Sequence, residues 1–215
     1  DKILGLFVCL FKLFPFQSAS FVNSKFINKL DSILNLYNYD QVLCYMSRTY
    51  PAVELVRLNH NNLSIAVYAI DPLPISYKKL RLNAKYLMSL AFIIEGFLMK
   101  KLDKKIINNG DRFALISDSD KNDYLNFLGL SNEKLIDVIP YGVDQFNKLV
   151  KFKNRKLRHG IITGSGGYNP NQTALKYILK DIWPIASIES NLFLDIAGSG
   201  HGSEIENLAN SFSSV

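Results

Sequence analysis

The sequence predicts an α/β protein with parallel sheets, one large unit over residues 1–145 and the opening of a second over residues 159–215. Three observations lead there. Strand-like apolar runs alternate with helical stretches, and a parallel connection needs such a crossover. The alternation breaks at a polar, basic stretch, residues 146–158, which reads as a linker, and then restarts. After the restart each strand ends in a glycine-rich loop that leads into a helix.

The elements follow in order. Ile3 to Phe16 is strongly apolar but shorter than the ~20 residues of a membrane span, and Lys12 and Pro15 interrupt it. It lacks the basic flank and small-residue cleavage site of a signal peptide, so a buried or interfacial helix fits best. Phe21, Phe26, Ile27, Leu30, Ile33 and Leu34 have helical spacing. Gln41 to Met46 reads as a buried strand, and Pro51 opens a short helix to about Arg57. Ser64 to Ile70 is a second strand, closed by Asp71-Pro72. A long helical stretch from about Ser76, with an interruption expected near Gly96, ends before Asn108-Asn109-Gly110. Arg112 to Ile116 is a third strand. Ser117 with Asp120 three residues on forms a capping-box-like helix start, and Gly129 ends that helix. Leu135 to Ile139 is a fourth strand, ended by Pro140-Tyr141-Gly142. In the second unit, Gly160 to Thr163 is a strand, Gly164 to Pro170 a glycine-rich loop, and Asn171 to Trp183 a helix stopped by Pro184. Leu192 to Ala197, the loop Gly198-Ser199-Gly200 and a helix from Ser203 repeat the pattern.

Composition narrows the function classes. A chain that is 48% hydrophobic and 12% aromatic has the apolar driving force to fold, which argues against disorder. Cys9 and Cys44 lie among apolar neighbours without a CxxC, so they read as small buried hydrophobes in a reducing compartment. His60, His159 and His201 are scattered; no metal site or Ser-His-Asp series follows from them. The net charge of +6 is clustered, with Lys100, Lys101, Lys104 and Lys105 in one group and Lys148, Lys151, Lys153, Arg155, Lys156 and Arg158 in another. Such runs serve as a solvated face, as a site for an anionic ligand such as a sugar nucleotide, or as a contact to an anionic membrane. Nucleic acid is not expected, because the clusters lack interleaved aromatics and no nucleic-acid motif is present.

The chemistry concentrates in the second unit. Ligands of parallel sheets bind beyond the carboxyl ends of the strands, and glycines there let backbone N–H groups approach a phosphate at a helix N-terminus. Gly164, Gly166, Gly167, Gly198 and Gly200 are placed for that; the alternative is that they only make turns. No Asp or Glu occurs between Asp144 and Asp181, so the first of these loops carries no charge that repels a diphosphate. The loop is neither a Walker A nor a full GxGxxG fingerprint, since Asn169 stands where the third glycine belongs.

The order of motifs along the chain resembles the family-4-type glycosyltransferases. Ala114 to Asp144 (ALISDSDKNDYLNFLGLSNEKLIDVIPYGVD) is similar to the end of their first domain, with Tyr141 where Asn is usual. Gly160 to Gly200 (GIITGSGGYNPNQTALKYILKDIWPIASIESNLFLDIAGSG) resembles the opening of their second domain. Ala69 to Leu80 (AIDPLPISYKKL) is similar to a strand-end Asp of the exopolysaccharide-type members. The likeness runs from about Asp40 to Glu206. It implies a GT-B-like fold: an N-terminal acceptor-side Rossmann-like domain, residues 1–145, and the first part of a second Rossmann-like, nucleotide-sugar-binding domain, residues 159–215.

The activity so implied is transfer of a sugar from a nucleotide-sugar donor to a glycan or lipid-linked acceptor, in cell-surface polysaccharide or glycan synthesis. The nucleotide-sugar is a co-substrate, and neither cofactor nor metal is implied. The implied place is the cytoplasm, with peripheral contact at the inner face of the plasma membrane through Ile3 to Phe16 and Lys100 to Lys105. Gly164, Ser165, Gly166, Gly167, Asn169, Asn171, Gly198, Ser199 and Gly200 are the implied donor-binding residues. Asp71 is the catalytic candidate: it orients the acceptor hydroxyl or assists proton transfer, or else simply caps its loop. Ser117 and Asp120 read as a helix cap, and Trp183 as a packed helix end. The diphosphate Arg and Lys of many members are missing from the first loop. The family's donor-binding Glu pair is expected beyond Val215, so the chain reads as a piece truncated at both ends and inactive as it stands. Two other readings keep the fold: a sugar-nucleotide epimerase and a non-catalytic binding module.

Overall fold

The computed structural model describes residues 2–60, 62–142, 159–190 and 192–212. The chain divides into two compact α/β units, Asp1–Asp144 and Gln145–Val215. The expected linker, residues 146–158, lies outside the described residues.

Unit 1 opens with α1 (Lys2–Lys12), a 3-10 turn (Phe16–Ser20) and α2 (Ser24–Tyr37). Then follow β1 (Gln41–Tyr45), α3 (Tyr50–Arg57), β2 (Ser64–Ile70), α4 (Leu73–Leu80), α5 (Tyr86–Asn108), β3 (Arg112–Leu115), α6 (Asp118–Leu128) and β4 (Asp137–Val138). The four strands form one parallel sheet in the order β1-β2-β3-β4, so each strand lies beside its predecessor. Right-handed crossovers that always step the same way lay their helices on one face. The burial agrees: Cys44, Ile65, Val67, Ala69, Phe113 and Leu115 join the core with α3, α5 and α6. On the opposite face Leu43 and Tyr45 of β1 are 65% and 56% exposed. The expected buried strand over Gln41 to Met46 is thus an edge strand in which Cys44 alone is fully buried. Its pattern of apolar residues is continuous, and only the sheet order decides that one side of it has no cover.

Local signals set several boundaries. Ser117 Oγ accepts the Asp120 N–H at 3.1 Å and donates to the Asp120 carboxylate at 2.5 Å, a reciprocal cap. At the other end Gly129 adopts φ +70, with Leu130 N–H on Leu125 O (2.9 Å) and Gly129 N–H on Asn126 O (3.1 Å), a Schellman ending. The helix interruption falls elsewhere than at Gly96. The chain breaks between α4 and α5, where Ala84 and Lys85 are extended, and α5 runs unbroken through Gly96. A Cβ on Gly96 would stand 3.1 Å from Tyr77 Cβ, so this glycine serves the close packing of α5 on α4. The fourth strand is two residues long, lengthened by Ile139 N–H on Leu115 O at 2.8 Å.

Unit 2 pairs β5 (His159–Thr163) with β6 (Phe193–Ala197) in parallel. Helix α7 (Asn169–Tyr177) follows β5 and continues through a π turn (Ile178–Ile182) into α8 (Trp183–Ser190); α9 (Ser203–Asn210) follows β6. Pro184 therefore does not stop the helix. Proline lacks an N–H and its ring strikes the carbonyl four residues back, and the wider π turn just before it relieves that conflict. Leu175, Leu179, Trp183, Leu194 and Ile205 form the core of this unit, with Trp183 packed as the sequence suggests.

Candidate functional site

In unit 2 the two glycine loops leave the carboxyl ends of adjacent parallel strands and are fastened to each other. Gly164 N–H donates to Ala197 O at 3.0 Å and Gly166 N–H to Ser199 O at 2.8 Å. The contact is so close that Gly166 and Gly198 are required by it, and the Asn171 side chain crowds Gly164. A Cβ on Gly166 would lie 2.3 Å from His201 N, one on Gly198 (φ +152) 1.9 Å from Gly164 O, and one on Gly164 2.8 Å from Asn171 Nδ2. The first turn of α7 braces the same loop: Asn171 Nδ2 donates to Ser165 O at 2.9 Å and Gln172 Nε2 to Gly166 O at 2.5 Å.

The predicted residues thus fall into two groups. Gly164, Gly166, Gly198 and Asn171 hold the loops together. Ser165, Gly167, Asn169, Ser199 and Gly200 are exposed at the surface of the paired loops. At Gly167 an added Cβ would meet only Ser165 Oγ, at 3.6 Å, so its backbone is open to approach. Residues reasoning from sequence passed over complete the site. Gln172 is one; His201, between Gly200 and Gly202, is the other. Both His201 ring nitrogens are buried and have no hydrogen-bond partner among the described residues, and Nε2 would lie 2.9 Å from a Cβ on Gly198. A buried polar group without a partner is uncommon. The glycines flanking His201 were the available signal. The Lys176 ammonium, one possible charge for a diphosphate, pairs with Glu204 at 2.5 Å, and Lys180 reaches the same carboxylate at 3.4 Å. Those contacts, Lys176 foremost, hold the Glu204 carboxyl below its usual range.

In unit 1 Asp71 is exposed at the carboxyl end of β2. Asp71 N–H bonds Ala69 O at 2.9 Å around Ile70 at φ +67, a γ-turn of the rare positive-φ kind. At the end of neighbouring β1, Met46 also has positive φ, +68. Strained backbone at side-chain-bearing positions clusters at functional sites, because the surroundings must hold it. Three tyrosines stand at this rim. Tyr45 and Tyr141 hydroxyls are 3.3 Å apart, and the Tyr68 ring lies 6.1 Å from each of their rings. The Tyr141 phenol is pushed up to about 12, first by its hydrogen bond with Tyr45, then by desolvation and the negative charges of Tyr45, Tyr68 and Asp71. The sequence signalled Asp71 and noted Tyr141 as a departure; the tyrosine trio needed the sheet register, which sets Tyr45 beside Tyr68.

Ser117 and Asp120 form a helix cap. Cys9 and Cys44 are free and buried, and burial pushes each thiol up to about 11, so neither is a thiolate near neutrality. No group of three His, Cys, Asp or Glu able to hold a metal occurs among the described residues. In comparison with known proteins, no family model matches the chain, and no curated protein matches it either.

Proposed function

We propose that the protein is a nucleotide-sugar-dependent glycosyltransferase of GT-B-like, Rossmann-like build, working in cell-surface polysaccharide or glycan synthesis on the cytoplasmic side of the membrane. The observation that carries the reading is the pair of fastened glycine loops at the carboxyl ends of β5 and β6, each leading into a helix, in a stretch whose motif order resembles the donor domain of that family. In this reading unit 2 takes the donor diphosphate at Ser165, Gly167, Asn169, Ser199 and Gly200, and the partial positive charge of the α7 and α9 N-termini stabilises the leaving diphosphate as the sugar departs. His201, unpartnered beside Gly198, supplies a further hydrogen bond. Asp71 orients the acceptor hydroxyl and accepts its proton, and the tyrosines beside it offer ring faces to a glycan acceptor. Titration of the full chain with a panel of nucleoside diphosphates tests the donor site. Micromolar binding of at least one supports the reading, and binding of none refutes it.

A second reading, a non-catalytic binding module, has one observation in its favour. Asn171 and Gln172 brace the loop and Lys176 pairs with Glu204, so no described cation is left facing the loops.

A further inference from the structure

Helices α4 and α5 of unit 1 sort their charges by side. Between Asp71 and Asp111 the sequence has eight cations, on or beside α4 and α5, and two acids, Glu95 and Asp103. Both acids turn inward. Glu95 is 6% exposed and accepts the N–H groups of Phe16 (2.7 Å) and Gln17 (3.0 Å), and Asp103 is 2% exposed and accepts the Tyr124 hydroxyl. The outer side of these helices therefore carries cations and no acid of its own. Two of the cations have partners among the described residues: Lys105 pairs with Glu54 at 2.5 Å, and Lys100 bonds Phe127 O.

The same side is apolar where a water-facing helix is polar. Over its first three turns α5 exposes Tyr86, Leu87, Leu90, Ile93, Ile94 and Phe97, each by 40% or more. Lone exposed apolar residues are ordinary, but a continuous patch marks a contact. Beside it α4, α5 and the end of α6 form a groove of about 200 Å³ lined by Phe92, Phe97 and Phe127 together with Lys78, Arg81 and Lys100. Lys100 Nζ lies 4.2 Å over the Phe127 ring and donates to Phe127 O at 2.7 Å, which ties α6 to α5. Helix α1 adds a second exposed apolar stripe to unit 1, Ile3, Leu4, Phe7, Leu10 and Phe11. No helix among the described residues is long and apolar enough to cross a membrane.

We propose that the α4–α5 face docks on an anionic phospholipid bilayer. The groove holds a headgroup phosphate between Lys78 and Arg81, and the exposed side chains of the first turns of α5 rest at the acyl boundary. Charge complementarity selects this occupant together with the aliphatic patch. A nucleic acid would use the cations and gain nothing from Leu87, Leu90, Ile93 and Ile94, whereas a bilayer interface uses both. The inference goes beyond the transferase reading and does not depend on it.

The test is flotation of the full chain with phosphatidylcholine vesicles that contain phosphatidylglycerol, against phosphatidylcholine alone. Binding is expected to the anionic vesicles and to weaken as salt rises. Lys78→Ala/Arg81→Ala is expected to lower the partition coefficient about 30-fold, at about five-fold per cation. Leu87→Ser/Leu90→Ser is expected to lower it as well, which a purely electrostatic contact would not show. Lys78, Leu87 and Leu90 are exposed and Arg81 is half-buried; circular dichroism checks that the variants fold. Lys101→Glu, at an exposed position, replaces the double variant if that one does not fold. No binding to anionic vesicles at low salt, equal binding to neutral ones, or unchanged partition of a folded cation variant overturns the proposal. Nucleoside diphosphate binding, measured on the same variants, is expected to be unchanged, which separates this result from the fate of the donor site.

Discussion

Gly167 and Gly198 look alike in the sequence, and the structure predicts that replacing them has opposite consequences. A Cβ at Gly198 would be 1.9 Å from Gly164 O, at φ +152, so neither the loop contact nor the local backbone admits a side chain. Overpacking a tight contact costs about 1–3 kcal/mol and backbone strain about as much again. For a unit of this size, about 3 kcal/mol lowers the melting temperature by roughly 10–20 °C. A Cβ at Gly167 meets only Ser165 Oγ, at 3.6 Å, so Gly167→Val leaves the loops folded. If a diphosphate oxygen approaches the Gly167 backbone, the valine blocks it. Loss of one charge-assisted hydrogen bond, about 1.5–3 kcal/mol, weakens binding by about 10- to 150-fold. Calorimetric titration with the tightest nucleoside diphosphate, run beside a thermal melt of each variant, reads both quantities. Gly167→Val with unchanged melting and unchanged affinity refutes the donor-site assignment. Gly198→Ala that melts like the parent refutes the argument from loop packing.

Other expectations follow from particular contacts. Asp103, fully enclosed, has its carboxyl pushed up to about 7 by burial, against hydrogen bonds from Tyr124 and Ser47 that favour the charged form. Its folded state holds a proton that the unfolded chain has released, so this contribution is fully present below about pH 4 and is lost as pH rises to about 7, by roughly 4 kcal/mol in all. Asp103→Asn should flatten that part of the stability–pH curve in urea titrations, and an unchanged slope counts against the burial argument. Gly129→Ala meets no neighbour within 4 Å, so its cost is the left-handed backbone alone, about 1 kcal/mol by denaturant unfolding. Arg57→Ala removes the guanidinium 2.9 Å from Asp111 and leaves a buried carboxylate with Tyr50 as its remaining side-chain donor among the described residues, at a cost of about 3 kcal/mol. Asp71→Asn should weaken binding of a glycan acceptor about 10-fold while nucleotide affinity holds, and unchanged acceptor binding would leave Asp71 a turn residue.

What the sequence could show was whatever a few neighbouring residues decide. Ser117 with Asp120 and Gly129 bracket α6 as read, because a cap bonds residues three to five positions away. The alternation of strands and helices, the restart after residue 158 and the two glycine loops are local in the same sense. Glycine and proline inside helices escape such rules for two different reasons. Gly96 was read as an interruption because glycine weakens a helix, but Tyr77, on another helix, decides its role. Pro184 was read as a stop, but a π turn carries the helix past it.

The rest was decided by residues distant in the chain. Glu95 is sheltered by Phe16 and Gln17, 79 and 78 positions away, so nothing near it in the sequence reveals that the acids of α5 face inward and leave the outer side basic. Gly166 and Gly198 are glycines because one loop presses on another about thirty residues away, whereas a Cβ on Gly167 would meet only Ser165 Oγ, in ordinary contact. Residue type and spacing determined which elements form. Which side of each element is covered, and which glycine backbone stays open, depends on the order of strands in the sheet, and that order exists only once distant segments have packed.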